Sequence, residues 1–377
     1  MMNVLAYSGY PPASYADGGG ALAIWYGLSA IAKVEGIDLT VAFPMREEDS
    51  CDSEGVHNGV KVRGIRSPKE LADCLREARP DIFHCMRSES LEALKSCRSL
   101  GIPSIYEVRS PKCFPCKWQH KLVPPYHRQW KEMLAGRKDR LAARQADVVI
   151  VPSETAIGNL RRNYGIPEER SLYFYNGVDY ENFYPLEEKP DNEVPILINA
   201  GRLARDRHFD LLLKAFQLIQ REFPLAQLRI VGDGPERARL EQICVDKSID
   251  GVRFFGVVSH SELADLYRTS DILMNSSESE SFGNVVAEAM ACGLPVVCFK
   301  AGSLQELVID PMNGILCEIG DDETLASNAM TLIRNPEMRK TMGLEAARSC
   351  RERFSWDLRA AGIVELYGKL SSGGNIF

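Results

Sequence analysis

Asp271-Ile272-Leu273-Met274 is followed by Asn275-Ser276-Ser277-Glu278-Ser279-Glu280-Ser281-Phe282-Gly283-Asn284, a helical stretch carrying Glu288, then Gly293-Leu294-Pro295 and a second apolar run, Val296-Val297-Cys298-Phe299. Short, unbroken apolar runs on either side of a helix read as parallel strands buried on both faces, since a half-wet sheet would show alternation. Strand, helix and parallel strand form the repeating unit of an open α/β sheet, whose ligands collect at the carboxyl ends of the strands. The loop after Met274 is therefore where chemistry is expected. Ser281 to Asn284 set backbone N–H groups at a helix start, a ready anion site. Glu280 precedes that start and Glu288 lies about two turns along it, so one carboxylate reaches a sugar hydroxyl and the other reaches deeper, toward a ribose. Two acids beside a phosphate repel it unless they bind neutral hydroxyls and cations supply the compensating charge. Together they suit a nucleotide diphospho-sugar better than a plain nucleotide.

Cations stand upstream. The strand candidate Pro195 to Ala200 runs into Gly201-Arg202-Leu203-Ala204-Arg205-Asp206-Arg207, which puts guanidinium groups, matched to phosphate oxygens, just past a strand end. Gln227 to Val231 runs into Gly232-Asp233-Gly234-Pro235-Glu236, a glycine turn that either admits a phosphate or merely turns the chain. Pro235 and the missing third glycine make it a poor dinucleotide fingerprint. Val252 to Phe255 and Gly314 to Glu318 complete the strand candidates of this half.

The first half repeats the pattern, with strand candidates Asn3 to Tyr7, Leu39 to Phe43, Val60 to Val62, Asp81 to Cys85, Ser104 to Val108, Asp147 to Val151 and Leu172 to Tyr175. Glu187 to Glu193 is charged and carries Pro190, which suits neither a helix nor a central strand. A boundary there predicts an N-terminal domain over residues 1–188 and a C-terminal domain over 189–354. The expected fold class is α/β, two doubly wound, Rossmann-like domains in tandem.

Composition agrees with an enzyme-sized globular chain. The 377 residues allow two or three domains at roughly 100–200 residues each. An apolar fraction of 45% with 26% charged residues excludes wholesale disorder. The net charge of −7 argues against a protein that coats nucleic acid. Met1 to Tyr7 carries no basic run and its apolar stretch stops at Ser8, too short for a signal peptide or a membrane span. The eleven cysteines lie mostly in apolar or helical patterns, so a reducing cytoplasm is the expected compartment.

At these residues the chain resembles the GT-B glycosyltransferases of family 4, whose paired glutamates stand seven residues apart. Glu280 to Glu288 has that spacing, followed by Ala289-Met290-Ala291-Cys292-Gly293-Leu294-Pro295-Val296-Val297. The resemblance extends to Asn176-Gly177-Val178-Asp179, Gly201-Arg202-Leu203, Val231-Gly232-Asp233-Gly234-Pro235, Phe255-Gly256-Val257-Val258 and Phe354-Ser355-Trp356. It implies a GT-B fold, two Rossmann-like domains facing a central cleft, with the last helix (355–377) packed back onto the N-terminal, acceptor-binding domain. It also implies that Arg202, and Arg207 where the family usually has lysine, clamp the donor diphosphate; His208 takes the place of the family's following glycine. By the same resemblance Glu288 holds the ribose, Glu280 the transferred sugar, and Ser281, Phe282, Gly283 and Asn284 the sugar and phosphate, with Gly232 nearby and the base beside Val257 and Val258. Most relatives retain anomeric configuration and need no metal, and this sequence has no Asp-x-Asp motif. No cofactor is expected beyond the nucleotide sugar itself.

The N-terminal half matches less closely. Asp17-Gly18-Gly19-Gly20 resembles the family's glycine loop, which assigns Gly18 to the acceptor and Gly19 to the donor. Where relatives often show two histidines separated by one residue, this chain reads His84-Cys85-Met86-Arg87, so Met86 stands at the second position. His84 is then a core or supporting residue, and Arg87 or Arg109 offers the polar contact. Val108 to Gln145 carries ten Lys and Arg against Glu132 and Asp139, interleaved with Phe114, Trp118, Tyr126 and Trp130. Aromatics beside cations suit an anionic or lipid-linked acceptor, or peripheral contact with the inner membrane face, more than nucleic acid. Cys113, Cys116, His120 and His127 offer zinc-capable ligands without a second cysteine pair, so free thiols are expected and no metal is assigned. The reading is a retaining glycosyltransferase acting on an acceptor hydroxyl. Its rivals are a nucleotide-sugar hydrolase or epimerase of the same fold and a silent nucleotide-sugar binding protein.

Overall fold

The structure, a computed structural model, describes residues 1–12, 19–45, 54–109, 126–189 and 192–374, excepting the side chains of residues 19 and 126–135. They form two compact units, Met1–Gly177 with Trp356–Phe377 and Val178–Ser355.

The first unit runs β1 (Met2–Tyr7), α1 (Gly19–Ala32), β2 (Ile37–Pro44), β3 (Glu54–His57), β4 (Val60–Ile65), α2 (Pro68–Ala78), β5 (Ile82–Cys85), α3 (Leu91–Leu100), β6 (Ser104–Glu107), α4 (Tyr126–Gln145), β7 (Val148–Val151), α5 (Glu154–Tyr164) and β8 (Ser171–Tyr173). The strand order is β3-β4-β2-β1-β5-β6-β7-β8, parallel throughout except where β3 pairs antiparallel with β4. The unbroken apolar run of β1 has a direct cause. Val4 and Ala6 enter the core on one face of the sheet while Leu5 and Tyr7 enter the core on the other. β3 was not expected, because Glu54-Gly55-Val56-His57 is largely exposed and carries no apolar pattern.

The second unit runs β9 (Ile196–Ala200), α6 (Phe209–Glu222), β10 (Gln227–Val231), α7 (Arg237–Asp246), β11 (Val252–Gly256), α8 (His260–Arg268), β12 (Ile272–Asn275), α9 (Asn284–Ala291), β13 (Val296–Phe299), α10 (Leu304–Leu307), β14 (Gly314–Cys317), α11 (Asp322–Arg334) and α12 (Pro336–Arg353). All its strands are parallel, in the order β11-β10-β9-β12-β13-β14. The order reverses between β9 and β12, which makes the crevice beyond their carboxyl ends a topological switch point. The last helix, α13 (Trp356–Ser371), packs against α1 in the first unit, where Trp356 stacks on Tyr26 with ring centroids 6.0 Å apart.

The units divide at Gly177/Val178, ahead of the proline-rich stretch read as the boundary. The reason lies in hydrogen bonds. The Val178 amide donates to the Phe354 carbonyl at 3.0 Å, and the Tyr180 hydroxyl donates to the carbonyls of Cys350 (2.7 Å) and Phe354 (3.0 Å), so this stretch is tied to the end of α12. Proline content marks where a chain is irregular, and these bonds decide which core it joins.

In the second unit the loops after β9 and β10 pack main chain to main chain. Gly201 donates to Val231 O and Leu203 to Asp233 O, both at 2.9 Å, and Glu236 donates back to Leu203 O at 3.0 Å. Gly232 has φ +116°, and a β-carbon there runs into the Gly201 carbonyl oxygen. Its glycine is required by this close approach whatever ligand the loop meets. Gly232→Ala should cost about 2–3 kcal/mol in ligand-free protein, from strained φ plus the clash; urea unfolding measures it, and a change below about 0.5 kcal/mol, the scale of an ordinary surface substitution, contradicts the packing argument.

Candidate functional site

The switch point of the second sheet brings together Arg207 and Glu280, two of the residues that the sequence singled out. After β9 the chain makes a short 3-10 turn over Arg205–Arg207 and enters α6 through His208. After β12 the Asn275 side chain accepts from the Ser277 amide at 3.0 Å and turns the chain toward that loop. The Ser276 hydroxyl donates to Arg207 O at 2.9 Å, and the Glu278 amide donates to Asp206 O at 3.2 Å, so the two loops are joined at the main chain. Across this seam the Arg207 guanidinium pairs directly with the Glu280 carboxylate and reaches the Ser277 hydroxyl at 3.2 Å. Glu280 is mostly buried and Arg207 about a third exposed. Burial lowers the Arg207 pKa, with Asp206 opposing and Arg202 adding to the effect, yet a guanidinium stays charged at neutral pH. Arg202 is the outer cation, 64% exposed, with Nη2 4.0 Å from Asp206.

Glu280 is fixed from behind. Its carbonyl accepts from the Ser303 amide and hydroxyl, both at 3.2 Å, and Gly302 lies so close that a β-carbon there runs into the same oxygen. Gly283, at φ +90°, then starts α9 without a side-chain cap. The Phe282 ring turns away into the core, edge-on to Phe354 at 5.4 Å, so this residue can offer a ligand only its main chain.

Glu288 sits on α9. Burial, and then the charge of Asp179, push its carboxyl up to about 8, so it is mostly protonated at neutral pH in the ligand-free site. Asp179 belongs to the quoted Asn176-Gly177-Val178-Asp179 run, but nothing in its spacing announced that it faces Glu288. The β11 strand ends at Gly256, which accepts from the Gly232 amide at 2.7 Å; Val257 and Val258 follow, beside the β10 loop at the same edge of the sheet.

In the first unit a separate buried network lies at the ends of β5 and β6. Glu107 Oε1 is 2.7 Å from Arg109 Nε and 2.8 Å from Arg359 Nη2, and Glu107 Oε2 is 3.5 Å from His84 Nε2. His84 Nδ1 is 2.7 Å from the Tyr367 hydroxyl. Arg109 Nη1 donates to Asn176 Oδ1 at 2.7 Å, and Arg359 donates to the carbonyl of Phe174 and, at 3.3 Å, to that of Tyr175. His84 is wholly buried, and Met86 is buried as well. Burial raises the Glu107 carboxyl, but Arg109 and Arg359 outweigh it and hold the group well below the usual carboxylate range. Burial brings Arg109 down to about 10, against the pull of Glu107. Arg87 lies over the Tyr10 ring at 5.0 Å and donates to its hydroxyl at 2.8 Å. Sequence reading had Arg109 and His84 but missed Glu107, Arg359 and Tyr367, since no motif links strand β6 to a helix at the far end of the chain.

Gly19 opens α1, while Gly18, Cys113, Cys116 and His120 lie outside the described residues, as does the His127 side chain with much of the basic aromatic segment. Among the described residues no three His, Cys, Asp or Glu side chains gather as a metal site would require, and no described helix is long and apolar enough to cross a membrane.

Two parallel-sheet Rossmann-like units, with an arginine and a glutamate meeting at a switch point and a second glutamate along the following helix, define the GT-B class. Residues 18–182 match the model "Glycosyltransferase Family 4" and residues 182–349 the model "Glycosyl transferases group 1"; the chain belongs to this family. An uncharacterized glycosyltransferase of Methanocaldococcus jannaschii is 30% identical over 62% of this chain and 62% of its own length. The match therefore spans less than two thirds of that relative. Among solved structures, sucrose-phosphate synthase from Thermosynechococcus elongatus aligns over 99% of this chain and 100% of its own, with a TM-score of 0.83 at 21% identity. HepE of Anabaena in complex with UDP-glucose aligns over 98% of this chain and 100% of its own, with a TM-score of 0.74 at 21% identity.

The first-unit network gives a stability prediction. Glu107→Gln leaves the buried Arg359 and the partly exposed Arg109 without their counter-charge and should cost about 3 kcal/mol at neutral pH. Because the folded-state pKa of Glu107 is depressed, its contribution is present above the unfolded pKa and fades as pH falls below about 4. Urea titrations of both proteins should converge on acidification; a constant gap would contradict the charge assignment.

Proposed function

We propose that the protein transfers a sugar from a nucleotide diphospho-sugar to an acceptor hydroxyl, with retention of anomeric configuration and without a metal. The observation that carries this reading is the Arg207–Glu280 contact at the switch point, beside the amide end of α9. A nucleoside diphosphate leaving group needs positive charge where it departs, and Arg202, Arg207 and the α9 terminus supply it without a metal. Glu280 then takes the hydroxyls of the transferred sugar, Glu288 those of the ribose, and Val257 and Val258 border the base. The bond from the anomeric carbon to the diphosphate oxygen breaks as the bond to the acceptor oxygen forms on the same face. The acceptor proton passes to the departing phosphate, so no general base is required.

The solved neighbour holding UDP-glucose supports a sugar-nucleotide donor of this type. We place the acceptor on the first unit at the ends of β5 and β6, where Arg87 and Arg109 present cations that suit an anionic or lipid-linked molecule. The free, mostly buried cysteines support action in a reducing cytoplasm, at the inner membrane face where the acceptor is lipid-linked.

A thermal-shift screen of UDP-, ADP- and GDP-linked sugars, followed by product analysis with and without acceptor, tests the reading. Nucleotide released at full rate without acceptor would make the protein a hydrolase, and protection without turnover would make it a binding protein. Arg202→Ala should lose about 3 kcal/mol of transition-state stabilisation, near 10²-fold in kcat; unchanged turnover would remove Arg202 from the clamp. Glu288 supplies a pH test. Ribose hydroxyls donate to the ionised carboxylate, so donor binding expels a proton from a group that holds it up to about 8. Donor affinity should therefore rise from about pH 6 to about pH 8 and then level, and Glu288→Gln should flatten the curve; calorimetric titrations that show the same slope in both proteins would sink the assignment.

A further inference from the structure

His208 occupies an uncommon conformation. It lies in the left-handed region, at φ 46° and ψ 43°, where a β-carbon costs about 1–2 kcal/mol and glycine fits without strain. The residue also starts α6, where its carbonyl accepts from Leu211 at 2.9 Å and Leu212 at 3.2 Å, bonds that a glycine would make equally well. What histidine adds is its ring. Nε2 lies 2.9 Å from Glu278 Oε2, and since a carboxylate only accepts, Nε2 carries the hydrogen. Nδ1 is 3.9 Å from Asp210, itself 3.8 Å from Arg239. Glu278 is two residues from Glu280, on the same short loop.

We propose that His208 is a positioning residue, a latch that holds the Glu278–Glu280 loop against the end of β9 while Arg207 changes partner. The inference rests on the reading of Arg207 and Glu280 as the groups that take the diphosphate and the sugar. In the ligand-free site Arg207 itself restrains Glu280. When a diphosphate draws the guanidinium away, that restraint ends at the moment when Glu280 must meet the sugar. The His208–Glu278 bond does not involve Arg207 and survives the exchange, so Glu280 is released from its partner without its loop leaving the site. The main-chain bond from Glu278 to Asp206 O at 3.2 Å and the Ser303 bonds to Glu280 O hold the same loop from two other sides. The imidazole thus adds a side-chain tie to these main-chain holds.

The test uses the full chain and two readouts. Hydrogen exchange of the ligand-free protein should show faster exchange of the 276–281 amides in both His208→Gly and Glu278→Ala, with the rest of the second unit unchanged. With the sugar nucleotide selected by the donor screen, each variant should raise donor KM by about two- to five-fold, the scale of a partly exposed ion pair. The corresponding kcat should stay within about twofold, and the double variant should be no worse than either single one. A purely structural role predicts the reverse for His208→Gly: glycine relieves the strained φ, so melting temperature holds or rises while KM and exchange stay at the wild-type values. That result, or additive KM effects in the double variant, overturns the latch. Arg207→Ala is the separate control, because retained turnover there overturns the clamp and leaves the exchange measurement to judge the latch alone.

Discussion

The second unit is organised around one charge contact, Arg207 against Glu280, placed where β9 and β12 diverge. Neither residue is free to be elsewhere. The arginine hangs from a 3-10 turn whose carbonyls accept from Ser276 and Glu278, and the glutamate is backed by Gly302 and Ser303. A partly buried ion pair of this kind is weak support for stability, because removing two charges from water costs much of what their attraction returns. It is well suited to exchange. In the proposed reaction a ligand that carries both a diphosphate and a sugar offers each partner a replacement as the pair opens.

The first unit depends on a different balance. One buried carboxylate, Glu107, sits between Arg109 and Arg359, with His84 and Tyr367 completing the group. Two cations against one anion leave a positive surplus at the end of the sheet, and Arg109 remains charged despite its burial. The same contacts fasten α13 to the strands, since Arg359 and Tyr367 both come from that helix. Anchoring and charge placement are carried by the same atoms here, so a substitution at Glu107 disturbs both.

Much of this was legible beforehand for a physical reason. Strands buried on both faces leave unbroken apolar runs, as in Val4 to Tyr7 and Ile272 to Met274, and the loops between such runs expose their polar residues to reading. Hence Arg207 and Glu280, which the structure brings into contact, could both be named from spacing and resemblance together. What escaped was whatever depends on long-range contact. Asp179 against Glu288 joins residues far apart in the chain, Arg359 against Glu107 more so, and no periodicity records either. β3 escaped because an exposed edge strand needs no apolar face, and the domain boundary was displaced because hydrogen bonds to α12, not composition, recruit residues 178–184. The Gly232 turn is expected either to admit a phosphate or merely to turn the chain, and the structure gives its glycine a cause in the contact with Gly201.

In the proposed reaction Arg207 and Glu280 exchange one another for the two halves of a sugar nucleotide. A crystal structure of the protein with its intact donor tests this most directly. The Arg207 guanidinium should lie on the diphosphate and the Glu280 carboxylate on sugar hydroxyls, with their mutual contact gone. Clear donor density with that contact still closed, or with the sugar remote from Glu280, would contradict it.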